Sequence, residues 1–274
     1  VASVQSELKI RVTEAGAKGY RLGWRSSLDL DRPLPADTQA TLDALASRMP
    51  ETLRLLRDGQ EVDIVTDEDG LPVRLAHPEA LEQTARVLRA ELEGLLKAPG
   101  KDGNAPAVPE AVIALVRRMA SPELIGRQQL ATAQSLLAVM GGEFEGQTPI
   151  DVSLMLDNPI GQMLGTEAPA LKAQQRWQLQ SATSTELVVG HHIDTDPETT
   201  RLSLAKALEQ LGEKVGKPVP KDAVRRATIR DNARYTIDRS TGWPERVQLE
   251  RRIEMEASNG QGTRTETHDI VRIR

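Results

Sequence analysis

Leu8, Ile10 and Val12 alternate with Lys9, Arg11 and Thr13, a two-residue period that predicts a strand with one buried face. Glu14-Ala15-Gly16-Ala17-Lys18-Gly19 follows as a hairpin connection, its glycines suited to the positive φ of such turns. The return strand puts Tyr20, Leu22, Trp24, Ser26, Leu28 and Leu30 on one side and Arg21, Arg25, Ser27, Asp29 and Asp31 on the other. Polar residues on one side alone predict antiparallel sheet with a single wet face. Pro33 and Pro35 end the strand, and Asp37 or Thr38 is placed to cap a helix. Its stripe is Leu42, Leu45, Met49, Leu53 and Leu56, with Pro50 expected to kink or split it and Gly59 to close it. Val62 to Thr66 and Leu71 to Leu75, joined by Asp67-Glu68-Asp69-Gly70, read as a second hairpin.

The period then lengthens. Leu81, Leu88, Leu92 and Leu95 share one face of a helix over Glu79–Lys97. The proline- and glycine-rich stretch 98–108 reads as a linker. Two further helices are expected over Pro109–Ala120 and Pro122–Met140, before Gly141-Gly142. Strand alternation resumes at Ile150, Val152, Leu154 and Leu156, and again at Val247, Leu249, Ile253 and Met255.

Parts of the pattern occur twice. Ser26-Ser27-Leu28-Asp29-Leu30-Asp31 is echoed by His191-His192-Ile193-Asp194-Thr195-Asp196, with Gly23 and Gly190 ahead of them. The turn from Asp67 through Gly70 and Pro72 to Arg74 is echoed from Asp238 through Gly242 and Pro244 to Arg246. Between the echoes lies one helical stripe in each copy, Leu204, Leu208, Leu211 and Val215 in the second. The fold expected is therefore α+β: two related hairpin–helix–hairpin lobes on antiparallel sheet, with a central helical insertion. The lobes span 1–77 and 143–274, and the insertion spans 78–142.

Composition narrows the function classes. The 274 residues carry a net charge of −5, too little to gather nucleic acid or anionic lipid over the whole molecule. Arginines crowd 227–274, but Asp238, Glu245, Glu250, Glu254, Glu256 and Glu266 interleave with them, as on a solvated sheet face. The absence of cysteine excludes disulfides, thiolate nucleophiles and cysteine-held metals. The longest apolar run, Ala111 to Val116, falls far short of the ~20 residues of a membrane span. An opening at Val1 that runs directly into a strand pattern leads us to expect an exported, periplasmic or envelope protein.

Candidate chemistry is sparse. The Asp67 and Asp238 turns are explained by an aspartate that accepts backbone amides and a glycine at unusual φ; Arg239 and Ser240 break any shared cation site. His191 has the parity of Val189 and Ile193 and is expected in the core, whereas His192 pairs with Asp194 on the exposed face. A hydrolase reading would use His192 and Asp194, with Ser181 or Ser184 as nucleophile, or the Asp29–Asp31 pair. Trp24 and Trp177 have core parity, and Trp243 sits at a hairpin tip where it could anchor a partner. No phosphate loop, zinc-protease or serine-elbow motif occurs, so no catalytic set, metal or cofactor is assigned.

These features point first to a non-catalytic binding or scaffolding protein of the bacterial cell envelope, with a protein partner or a hydrophobic ligand. The binding candidates are Trp243, His192 and Asp194. The alternative is a periplasmic carrier of a hydrophobic ligand, in an architecture similar to that of the periplasmic lipoprotein carriers. Leucine stripes such as Leu81–Leu95 beside open sheet motivate it.

Overall fold

A computed structural model describes residues 5–29, 35–98, 108–158, 161, 169–220, 222–258 and 260–273. The chain divides into two compact units, Val1–Ala138 and Val139–Arg274. Each is built on one antiparallel sheet with helices, so the fold is α+β.

In the first unit, β1 (Gln5–Gly16) and β2 (Gly19–Asp29) form a hairpin, followed by α1 (Ala36–Arg48), α2 (Pro50–Asp58), β3 (Gln60–Thr66) and β4 (Pro72–Leu75). The sheet order is β1-β2-β3-β4. Alternation places Trp24 opposite Val62 and Leu22 opposite Ile64, and all four are buried. Helix α2 packs on β2. Pro50 splits the helical stripe: α1 ends at Arg48 and α2 starts at Pro50. The orphan amides of Glu51 and Thr52 donate to the Glu91 carboxylate at 2.9 Å each, an anion placed where the helix dipole favours it. The helix start differs from the one expected, since Asp37 and Thr38 fall inside the first turn and not at its N-cap. The helix begins at Ala36 behind Pro35 with no side-chain cap, and Thr38 is buried inside its first turn.

A 3-10 turn (Pro78–Leu81) leads into α3 (Glu82–Lys97), and α4 (Glu110–Met119) and α5 (Pro122–Leu137) complete the unit. Helix α5 packs on β4 and on the 3-10 turn. Gly126 permits the approach, since a Cβ there would stand 2.9 Å from Leu75 Cδ1. Most of the expected linker, 99–107, lies outside the described residues.

The second unit runs β5 (Ile150–Leu156), β6 (Leu171–Ala182), β7 (Glu186–Thr195), α6 (Pro197–Val215), β8 (Val224–Asp238), β9 (Pro244–Ala257) and β10 (Gly260–Val271). Its sheet order is β10-β9-β8-β7-β6-β5. The segment β6-β7-α6-β8-β9 runs hairpin, helix, hairpin; in the first unit two helices stand between the two hairpins, and β5 and β10 form the edges of the second sheet. Gly216 is the left-handed C-cap of α6. Among the described residues no helix is long and apolar enough to cross a membrane.

Candidate functional site

Helix α6 is fastened to its sheet at its first turn. The Asp196 amide donates to Lys172 O at 2.8 Å, and its carboxylate accepts the Thr199 amide at 2.8 Å. Thr200 Oγ1 donates to Thr195 Oγ1 at 2.9 Å, and Thr195 Oγ1 accepts the Ile229 amide at 3.0 Å. So held, the helix lies on β8 and β6.

Beside the helix the sheet extends into β9 and β10, leaving an open cleft of about 390 Å³. Its walls are chiefly apolar: Leu171, Leu204, Ala227, Ile229, Ile253 and Met255. A volume of this order suits a small ligand. The polar groups at its floor are engaged with one another. Ser203 Oγ donates to Pro169 O at 2.5 Å and accepts from Asn158 Nδ2, while Asn158 Oδ1 accepts the Gly161 amide at 3.0 Å. At the cleft's mouth stands Arg264 of β10, the one charged side chain of the lining among the described residues.

Further along the same face the strands bring a polar row together. Arg251 donates twice to Asp231, at 2.8 and 2.7 Å, a bidentate pair that holds the guanidinium firmly protonated. His191 stacks on Trp177 with ring centres 3.8 Å apart, and Tyr235 lies 6.0 Å from the same indole. Gln175 Nε2 sits 2.8 Å from His191 Nε2; the amide donates and the ring accepts, as a neutral imidazole can. Burial pulls the His191 pKa down to about 4, against the attraction of Asp231. Burial likewise raises the Tyr235 phenol above its ordinary value.

The opposite face carries His192 and Asp194, side by side as their parity predicts. His192 Nε2 lies 2.7 Å from Asp194 Oδ2, and Nδ1 lies 2.6 Å from Asn232 Oδ1. Arg230 Nε donates to the other Asp194 oxygen at 3.0 Å. With an oxygen acceptor at each nitrogen, the ring is set to donate twice, as imidazolium. Burial lowers its pKa, but the hydrogen bonds with Asp194 and Asn232 outweigh it and the net shift is upward.

Trp243 is not part of either cluster. It lies half-buried in the β8–β9 turn, about 20 Å of strand from Asn232. Its carbonyl accepts the Asp238 amide at 3.0 Å. The Asp238 carboxylate accepts the Ser240 amide at 2.8 Å, and Gly242 has φ +71°. The first turn is built alike: Asp67 Oδ1 accepts the amides of Asp69 and Leu71, and Gly70 has φ +88°. Asp31 of the Asp29–Asp31 pair lies outside the described residues. Among the described residues no group of three His, Cys, Asp or Glu is placed to hold a metal ion.

The cleft was not visible in the chain because its residues come from β6, α6, β8, β9 and β10 and share no motif. Comparison of the chain with protein-family profiles, with curated proteins and with solved structures finds no match.

Proposed function

We propose that this chain is a non-catalytic binding protein whose second unit holds an apolar ligand in the cleft beside α6. The observation that carries the reading is the cleft itself: about 390 Å³, walled by apolar side chains from three strands and a helix. An open apolar hollow of this kind is costly to leave facing water and is a standard place for a ligand. The leucine-striped α3 that motivated a carrier belongs to the first unit, so the support for a carrier comes from α6 instead.

The hydrolase alternative has little support. A general base needs a free lone pair, and both His192 nitrogens face oxygen acceptors. Ser203, the serine of the cleft, has its hydroxyl committed to Pro169 O and Asn158.

Binding of an uncharged naphthylamine probe tests the proposal. Met255 lines the cleft and is 39% exposed, so Met255→Trp fills volume without overpacking the core. The parent chain should bind with enhanced fluorescence, and Met255→Trp should weaken binding about tenfold, or about 1.4 kcal/mol. Equal binding by a variant that melts like the parent overturns the reading.

An envelope location belongs to the same proposal, on the strength of the carrier-like layout of sheet and helix. Recovery of the full gene product solely from the cytoplasmic fraction would count against it. An ancestral doubling is part of the proposal as well, supported by the shared strand order and the two aspartate–glycine turns.

A further inference from the structure

The charges around the cleft say more about its occupant. Arg264 projects from β10 at the mouth, and its side chain is 74% exposed. Glu266, two positions along the same strand, is paired with its Nη2 at 2.5 Å. A guanidinium offers five N–H donors in a planar fork, so one carboxylate at one nitrogen leaves another edge to give. The pair stands in solvent, where such bridges contribute little and are readily shared.

Farther from the cleft on the same face, Arg251 and Asp231 neutralise one another through two hydrogen bonds. The polar floor is likewise closed on itself through Ser203, Asn158 and Pro169. Among the described residues, the cleft therefore presents an apolar trough whose one charged lining group is Arg264, a guanidinium shared with Glu266 through a single nitrogen.

We infer that the ligand is a single-chain amphiphile with a carboxylate end, its chain along Ile229, Ile253 and Met255 and its carboxylate on the free edge of Arg264. A carboxylate matches a guanidinium edge through two parallel N–H···O bonds, which a hydroxyl cannot do and a cationic head opposes. The assignment rests on the cleft reading above, and the experiment separates the two.

The full chain, loaded with the naphthylamine probe, is titrated with dodecanoate, dodecanol and dodecyltrimethylammonium, each below its micelle concentration. Dodecanoate should displace the probe about tenfold better than dodecanol, and the ammonium compound should be the weakest. Arg264→Gln should remove the preference for dodecanoate over dodecanol, and Arg264→Lys should retain part of it. Equal displacement by dodecanoate and dodecanol in the parent overturns the head-group assignment and leaves the cleft standing. So does a preference that survives Arg264→Gln. A probe that does not bind, or binding that appears only as the chain associates with a second copy, overturns both.

Discussion

The two units solve the same packing problem to different degrees. Counted back equally from Asp67 and Asp238, Val62 pairs with Trp24 and Ala233 pairs with His191. Nearer the turn on the same parity, Ile64 faces Leu22 and Tyr235 faces Val189. Gly23 and Gly190 also fall on matching ladder positions, opposite Asp63 and Arg234. In the first unit α2 sits on the inner strand β2 and α5 on the edge strand β4, and at the other edge, β1, Val12 is half-exposed. In the second, among the described residues, one long helix packs on the six-stranded sheet. A sheet needs a covering layer for each stretch of apolar face. Where β9 and β10 extend the sheet beside α6, the cleft opens between Leu204 of the helix and Ile253 and Met255 of β9.

The largest effect expected from this contrast is at the matched pair Trp24 and His191. Trp24 is only 1% exposed, so Trp24→Ala should cost about 3–5 kcal/mol by cavity formation. His191→Ala removes a stacked but partly accessible ring and should cost about 1 kcal/mol. Urea unfolding followed by circular dichroism measures both. Equal losses would mean that the second unit is as tightly closed as the first.

Much of the first unit was legible in the chain because each signal was local. Pro50 cannot donate the amide that a continuous helix needs, so the split follows from one residue. Strand parity placed His191 inward and His192 outward without any knowledge of the sheet. Strand β6 was harder to see. Gln175 lies on its inward parity and satisfies itself on His191, so Leu171–Ala182 lacks clean alternation. Asp231 and Arg251 blur β8 and β9 in the same way, since each is tolerable inward only because the other lies opposite. Long-range pairing decides such positions, and a local period cannot register it. The cleft is more remote still, a product of sheet width against helix length.

The next effect is in pH dependence, where the two faces of the second sheet should pull in opposite directions. His191 titrates near 6.5 when unfolded and near 4 when folded, because burial disfavours its charged form. The unfolded chain thus binds the proton first, and stability should fall as pH drops from about 6.5 to about 4. His191→Gln should flatten that loss. His192 has its folded pKa raised, so its contribution is complete below 6.5 and fades as pH rises through the folded value. His192→Gln should remove stability on the acidic side, by no more than about 1 kcal/mol at so exposed a pair. Melting profiles from pH 4 to 8 check both signs, and parallel changes in the two variants would contradict the assignment of inner and outer faces.

The smallest contrast lies at the glycines that end the crossing helices. Gly59 closes α2 at φ +66°, ψ 140°, a region almost reserved for glycine, and a Cβ there would stand 2.6 Å from Ser26 O. Gly216 closes α6 at φ +69°, ψ 21°, ordinary left-handed geometry, and a Cβ there would meet nothing within 4 Å. Gly59→Ala should therefore cost about 2 kcal/mol or more, and Gly216→Ala about 1 kcal/mol. The difference measures how closely each capping glycine is pressed by its surroundings: Gly59 abuts the backbone of β2, whereas a Cβ at Gly216 would stand clear. If Gly216→Ala proved as damaging as Gly59→Ala, the end of α6 would be as confined as that of α2. The second sheet would then lose its looser roof, which is the physical reason for a cleft beside that helix.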